Sequence, residues 1–274
     1  MAADPVTLAP SSQWLVDFAP ERCTIARQFG SGEDHTALKL STVGPGRGFD
    51  LTLIGRHARI GRPEKGVYGH IALSFATGGP DAEASVVVGK MGRDPAFVAQ
   101  GLVEITADGS AVSDDYLKAE PERFAMIDRI EFTDGLSGKV TLKTGKMDAV
   151  FSMLERCEWQ LVEEWGLDAD ANRNRMSAPT LPHDDYVRLA TKVQARYPAA
   201  ALHARKVATL QLRMIVGEDG RVRDCAILSN TTTDEFDDRP CEIFREDAVY
   251  EPARGADGAP IASWVVQVIR YNIP

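Results

Sequence analysis

Four cysteines, Cys23, Cys157, Cys225 and Cys241, are the side chains in this sequence with the most chemistry open to them. A thiolate is a nucleophile and a metal ligand, and two thiols can oxidise to a bond. Redox catalysis calls for a short-spaced pair or an exposed thiolate, and no C-x-x-C occurs. A zinc site needs three or four converging ligands. The five histidines, His35, His57, His70, His183 and His203, each stand alone, with no ligand three or four positions on. No metal and no cofactor are therefore expected, and His183 reads as the start of a helix beside Asp184. An even, sparse and dispersed set of cysteines suits two structural disulfides in an oxidising compartment. Four buried free thiols, behaving as small core residues, are the alternative.

Other motifs carry little. The spacing "GPGRG" (44–48) opens no helix and lacks the strand-turn-helix context that cradles a pyrophosphate, so it reads as a hairpin loop. "GLSGK" (135–139) is too short for a P-loop, and no G-x-S-x-G or H-E-x-x-H occurs. Nothing local favours an Asp/His/Ser triad assembled in three dimensions. No catalytic residue is assigned, and the chain is expected not to be an enzyme. A net charge of −9 repels phosphate backbones, which argues against nucleic acid as partner. No apolar run approaches the roughly 20 residues that span a bilayer. The start, "MAADPVTLAPSSQW", has no basic region and no apolar region. It fits a cytosolic chain, or one from which a signal peptide has been removed.

The elements that must position these residues fall into two groups, as a length of 274 residues suggests. Seven stretches between residues 14 and 145 alternate or are β-branched: 36–43, 49–55, 70–77, 84–90, 102–107, 129–134 and 139–144. They predict an antiparallel sandwich or a partly closed barrel, with "TDGLSGK" as a hairpin connection. The period then changes. Met147, Val150, Phe151, Leu154, Cys157, Leu161 and Trp165 lie on one stripe of a helix of about five turns, with Gly166 as its C-cap. Cys157 faces the β-rich domain, and Cys23 is the other cysteine of that half, so a Cys23–Cys157 bond is expected. Residues 168–182 are polar and aperiodic and read as a linker.

A second unit follows. Tyr186, Leu189, Ala190, Val193 and Tyr197 share one face of a helix stopped by Pro198. Strands at about 206–217 and 220–229 flank a turn at Asp219-Gly220, a short helix lies near 234–247, and 261–272 is a last strand. The expected fold class is α+β: residues 1–167 a β-rich domain of unassigned function closed by a helix, 168–182 a linker, 183–274 an α-β-β-α-β domain with a three-stranded antiparallel sheet. Trp159 and Trp165 are expected in the core. Trp264 either lines a groove or caps the sheet, the second being favoured.

From Tyr197 to Asn272 the chain resembles the TonB C-terminal domain family. The residues that carry the resemblance are Tyr197-Pro198, the hairpin "ATLQLRMIVGEDGRVRDCAILSN" (208–230), "VYEPA" (249–253), "DGAP" (257–260) and "SWVVQVIRYNI" (263–273). The resemblance implies a periplasmic protein-interaction module of outer-membrane transport that binds a short extended peptide, the TonB box of receptors, as an added strand. The edge it implies is Val265, Val266, Gln267, Val268, Ile269, Arg270 and Tyr271. The partner would be an outer-membrane receptor or other envelope protein. Self-pairing in a homodimer, or an edge blunted by Arg270, is the competing reading.

The sequence departs from the family at Ser229-Asn230-Thr231, where a Ser-Ser-Gly turn is usual, and in the acidic "REDAVYEPA". The Pro-rich spacer and membrane anchor that transmit force are not in it, so a complete energy transducer is not expected. An envelope assembly protein, or an enzyme with its active site in the N-terminal domain, are the rival functions.

In the small domain Cys225 falls in the second strand and Cys241 on the short helix. A bond between them would close about 15 residues and contribute on the order of 3 kcal/mol to a domain too small to be generously stable. Mass mapping of non-reduced peptides should recover Cys23–Cys157 and Cys225–Cys241; free thiols, or a Cys23–Cys225 peptide, would refute the pairing.

Overall fold

The structure, a computed structural model, describes residues 3–45, 48–61, 68–75, 81–102, 127–230, 236–271 and 273. The chain divides into two compact units, Met1–Leu161 and Val162–Pro274. The whole is α+β, with a β-rich first unit and a three-stranded antiparallel sheet with helices in the second.

Among the described residues, ten strands build the first unit: β1 (Ala3–Leu8), β2 (Leu15–Ala19), β3 (Arg22–Phe29), β4 (Thr36–Thr42), β5 (Phe49–Gly55), β6 (Tyr68–Ser74), β7 (Ala82–Met91), β8 (Asp94–Leu102), β9 (Ile130–Asp134) and β10 (Gly138–Leu142). Their order is β1-β10-β9-β6-β7-β8-β5-β4-β3-β2, antiparallel except between β1 and β10. The chain leaving β1 bridges Pro10 to Phe29 and exchanges main-chain bonds with 28–30, which curls the sheet back on itself. Alternate residues fill one face, among them Ile25, Leu40, Leu53, Phe97, Phe132 and Leu142.

Six of the seven expected strands have a counterpart. The seventh, 102–107, lies almost wholly outside the described residues. Four strands went unread: β1, β2, β3 and β8. Pro95, Ala96, Ala99 and Gly101 dilute the β signal in β8, yet it is an interior strand between β5 and β7. Gly135, in the expected hairpin connection, has φ of +89°, and a Cβ there would meet the His70 carbonyl at 2.1 Å.

Helix α1 (Asp148–Glu164) follows, with Val150, Phe151, Leu154, Cys157 and Leu161 buried. The Phe151 ring lies 6.0 Å from that of Phe49. Cys157 is bonded to Cys23, which sits on β3. The next residue, Glu158, carries an enclosed carboxyl whose pKa is pushed up to about 8. Burial is the main cause; the Thr42 hydroxyl beside it pulls the other way and Glu155 adds repulsion.

In the second unit, α2 (Ala169–Arg173), α3 (His183–Ala195) and α4 (Ala199–His203) precede β11 (Ala208–Val216) and β12 (Val222–Asn230). Helix α5 (Arg239–Asp247), the short pair β13 (Ala253–Arg254) and β14 (Pro260–Ile261), and β15 (Ser263–Tyr271) complete it. The main sheet runs β12-β11-β15. Leu189 and Val193 of α3 and Ile243 and Phe244 of α5 pack with Leu210, Leu212, Met214, Ile269 and Tyr271. The early helix thus supplies cover for a sheet face. Cys225 on β12 is bonded to Cys241 on α5. Gly220 turns the β11–β12 connection with φ of +76°, and a side chain there would strike the Tyr250 carbonyl at 2.1 Å.

Where a linker is expected, residues 168–182 hold helix α2 and two bridges, Ser177 to Arg254 and Thr180 to Glu251. Asp168 caps α2 by accepting the Ala171 amide at 2.8 Å. Polar, aperiodic residues are ordered here because their partners lie more than 70 positions away.

The raised Glu158 pKa has a stability consequence. Between about pH 5 and pH 8 the folded chain keeps a proton that the unfolded chain has released, so stability falls as pH rises through that window. Melting curves from pH 5 to 9 should show a loss on the order of 2–4 kcal/mol, and Glu158→Gln should flatten it. An unchanged slope in the variant would show that the carboxyl is not the titrating group.

Candidate functional site

The second unit presents two sheet edges, and its side chains treat them differently. On the β12 side, Arg245 of α5 donates to the Cys225 carbonyl at 2.8 Å, and the disulfide fastens the same residue to α5. Below β12, Arg221 bridges Val249. That edge is held under the helix. On the other side, β15 pairs with β11 through nine consecutive residues, from Ala208 opposite Tyr271 to Val216 opposite Ser263, and no further strand is described beyond it.

The edge has a defined polarity. The carbonyls of Val268 and Arg270 accept from the Gln267 and Gln194 amides at 3.2 and 2.7 Å, and that of Ala262 accepts from Asn172 at 3.0 Å. Since peptide groups in an antiparallel strand turn alternately toward and away from the partner, these acceptors mark the even-numbered residues as the ones facing outward. The side chains of the seven expected edge residues divide accordingly. Val265, Ile269 and Tyr271 belong to the core shared with the helices. Val266 is buried on the opposite face, Gln267 is half-buried, and Val268 and Arg270 are exposed.

A groove of about 270 Å³ runs beside the outer half of this edge. Val268, Ile269 and Arg270 form one side; Tyr186, Ala190, Val193 and Gln194 of α3, with Phe244, form the other. Tyr186 is therefore not a core residue as the helical stripe suggests: it is 44% exposed, and with Val268 it leaves apolar surface open here. Side-chain contacts tie α3 to the end of α5. Lys192 of α3 is ion-paired with Asp247 at the end of α5, and Arg188 donates to the Asp247 carbonyl. The Lys192 ammonium, bonded to the Asp247 carboxyl, holds its pKa below the ordinary value. The C-terminal end of β15 is anchored by rings: Tyr271 lies 5.1 Å from Tyr197 and 5.0 Å from Phe236. Burial, with the charge of Asp237, pushes the Tyr271 phenol up to about 12.

The opposite face of the sheet is sealed by residues 165–175. The Arg213 guanidinium lies 4.9 Å from the Trp165 ring, Trp165 stands 6.0 Å from Trp264, and Arg175 stacks 4.3 Å over Trp264. Trp264, 2% exposed, is buried in this stack. Asn172, fully buried, bonds the Asp168 and Ala262 carbonyls and accepts from Ser263 at 2.6 Å. Arg175 donates to the same hydroxyl. The sequence offers no local signal for this cluster, since its members lie about 90 positions apart. Among the described residues no three His, Cys, Asp or Glu side chains converge as metal ligands.

The second unit is thus a thin sheet covered on both faces, with the β15 edge lying beside a groove of mixed polarity. The model of the Gram-negative bacterial TonB protein C-terminal family matches residues 193–273, the C-terminal third of the chain. This third of the chain is thus similar to that domain. No curated protein matches the chain.

Replacing Asn172 by Ala should cost about 2–3 kcal/mol, because it strips partners from buried polar groups around Ser263. Denaturant unfolding checks it; a midpoint within error of wild type would mean that the cluster does not hold the face closed.

Proposed function

We propose that the chain is a periplasmic interaction protein of TonB type that takes an extended segment of an outer-membrane receptor, or of another envelope protein, as an added strand along Val265–Tyr271. The observation that carries this reading is the pairing of an open β15 edge with a groove beside Val268. Main-chain bonds along such an edge supply affinity, and a groove that takes alternate side chains supplies selectivity. Tyr186 and Val268 suit an apolar side chain of the segment. The domain acts by binding and needs no cofactor. Among the described residues no helix is long and apolar enough to cross a membrane, and two disulfides favour an oxidising compartment.

The reading distinguishes two variants of one residue. Val268→Pro removes an outward-facing amide, which a sheet edge tolerates, and inserts a ring where the incoming strand would pair. Val268→Ala trims one methyl-bearing side chain and keeps the amide. With the full chain as bait in envelope extract, Val268→Pro should lose captured receptors at least tenfold, while Val268→Ala should keep most of them. Equal capture by wild type and Val268→Pro would end the strand-addition reading. So would a concentration-dependent dimer in wild type that Val268→Pro converts to monomer without changing capture.

A further inference from the structure

The first unit carries a second groove, of about 580 Å³, within the range of small-molecule sites. Its floor is apolar, from Val6 on β1 and Val140 on β10. Its charged lining is Arg56, Arg59 and Lys139 against Glu33. The acids beside it are already engaged. Glu33 pairs with Arg56 at 3.1 Å; Asp34 lies 3.7 Å from Arg56 and hydrogen-bonds His57 at 2.9 Å. Arg59 and Lys139 have no ion-pair partner among the described residues, and both are exposed. In a chain of net charge −9, this groove therefore holds an excess of positive charge.

The two cations are also held in place. The Ser137 amide donates to the Arg59 carbonyl at 2.9 Å, the Gly61 amide to the Gly135 carbonyl at 2.8 Å, and Ile60 bridges Leu136. This short ladder fixes the backbone bearing Arg59 against the strand start bearing Lys139. A register irregularity lies in β1 between Ala3 and Val6, on the strand that supplies the floor; bulges of this kind often re-aim residues next to sites. His57, bonded to Asp34, and Ser137 line the groove, but they do not form a nucleophile. The Ser137 hydroxyl donates to the Arg59 carbonyl at 3.1 Å, and so its proton is committed away from His57.

We propose that this groove binds a small ligand with an anionic head, phosphate or carboxylate, held by Arg59 and Lys139, and a short apolar body lying on Val6 and Val140. Arg59 offers a planar fork to two oxygens and Lys139 a point charge. The site stands on residues 6–140 alone and is independent of the β15 edge.

Calorimetry on the full chain tests it with four probes: octyl phosphate, octanoate, inorganic phosphate and octanol. Octyl phosphate and octanoate should bind, and octanol should not. The double variant Arg59→Gln/Lys139→Gln should bind the two anionic amphiphiles at least about tenfold more weakly. Lys139→Arg, alone, should retain binding, and unchanged circular dichroism would show that the double variant is folded. Inorganic phosphate binding as tightly as octyl phosphate would keep the anion site and assign it to a free ion. Octanol binding as well as octyl phosphate, or full affinity in the double variant, would overturn the proposal. Val268→Pro should bind octyl phosphate like wild type, which separates this site from strand addition.

Discussion

Nine consecutive cross-strand pairs join β11 to β15 without a bulge, and the second unit depends on that ladder. Because the side-chain period of a strand is two, one slipped residue would exchange its two faces. Val265, Ile269 and Tyr271 would leave the helices, and Trp264 and Val266 would enter a core shaped for other side chains. Each face therefore fixes the register through its own cover. The helices α3 and α5 grip one; the Arg213, Trp165, Trp264 and Arg175 stack grips the other.

With both faces covered, what remains of β15 is backbone. The helices approach from the side of Ile269 and Tyr271, and the stripe residues Tyr186, Ala190 and Val193 of α3, with Gln194, border the open edge. That explains Tyr186, which shares the helical stripe with Leu189 and Val193 but ends in the groove. The disulfide and Arg245 close off the β12 side. The asymmetry between the edges is a product of where α5 lies, and it directs any added strand to β15.

The first unit solves a different problem. A ten-stranded sheet needs an interior and few open edges, and it meets both needs by curling until the chain after β1 bonds β3. Tethering Cys157 to Cys23 brings α1 onto that interior and confines Glu158 with it. Main-chain bonds also join the segment bearing Arg59 to residues 135–137, which lead into the strand bearing Lys139.

How much of this was legible depends on the range of the forces involved. Alternation in 49–55, the heptad-like stripe around Cys157, and Asp219-Gly220 between two alternating runs are local signals, and they sufficed for the α+β class, for α1, for the β11–β12 hairpin and for both cysteine pairs. β8 stayed hidden because its Pro, Ala and Gly content reads as loop, while only burial between β5 and β7 makes it a strand. Residues 168–182 read as a linker because Asn172, Ser177 and Thr180 find their partners at 251–263. By itself, then, the sequence determined which segments alternate, where the chain must turn and which cysteines could meet. Only the tertiary structure decided which edge stays open, which aromatic seals a face and which cations share a groove, since each of these is set by contacts between residues far apart in the chain.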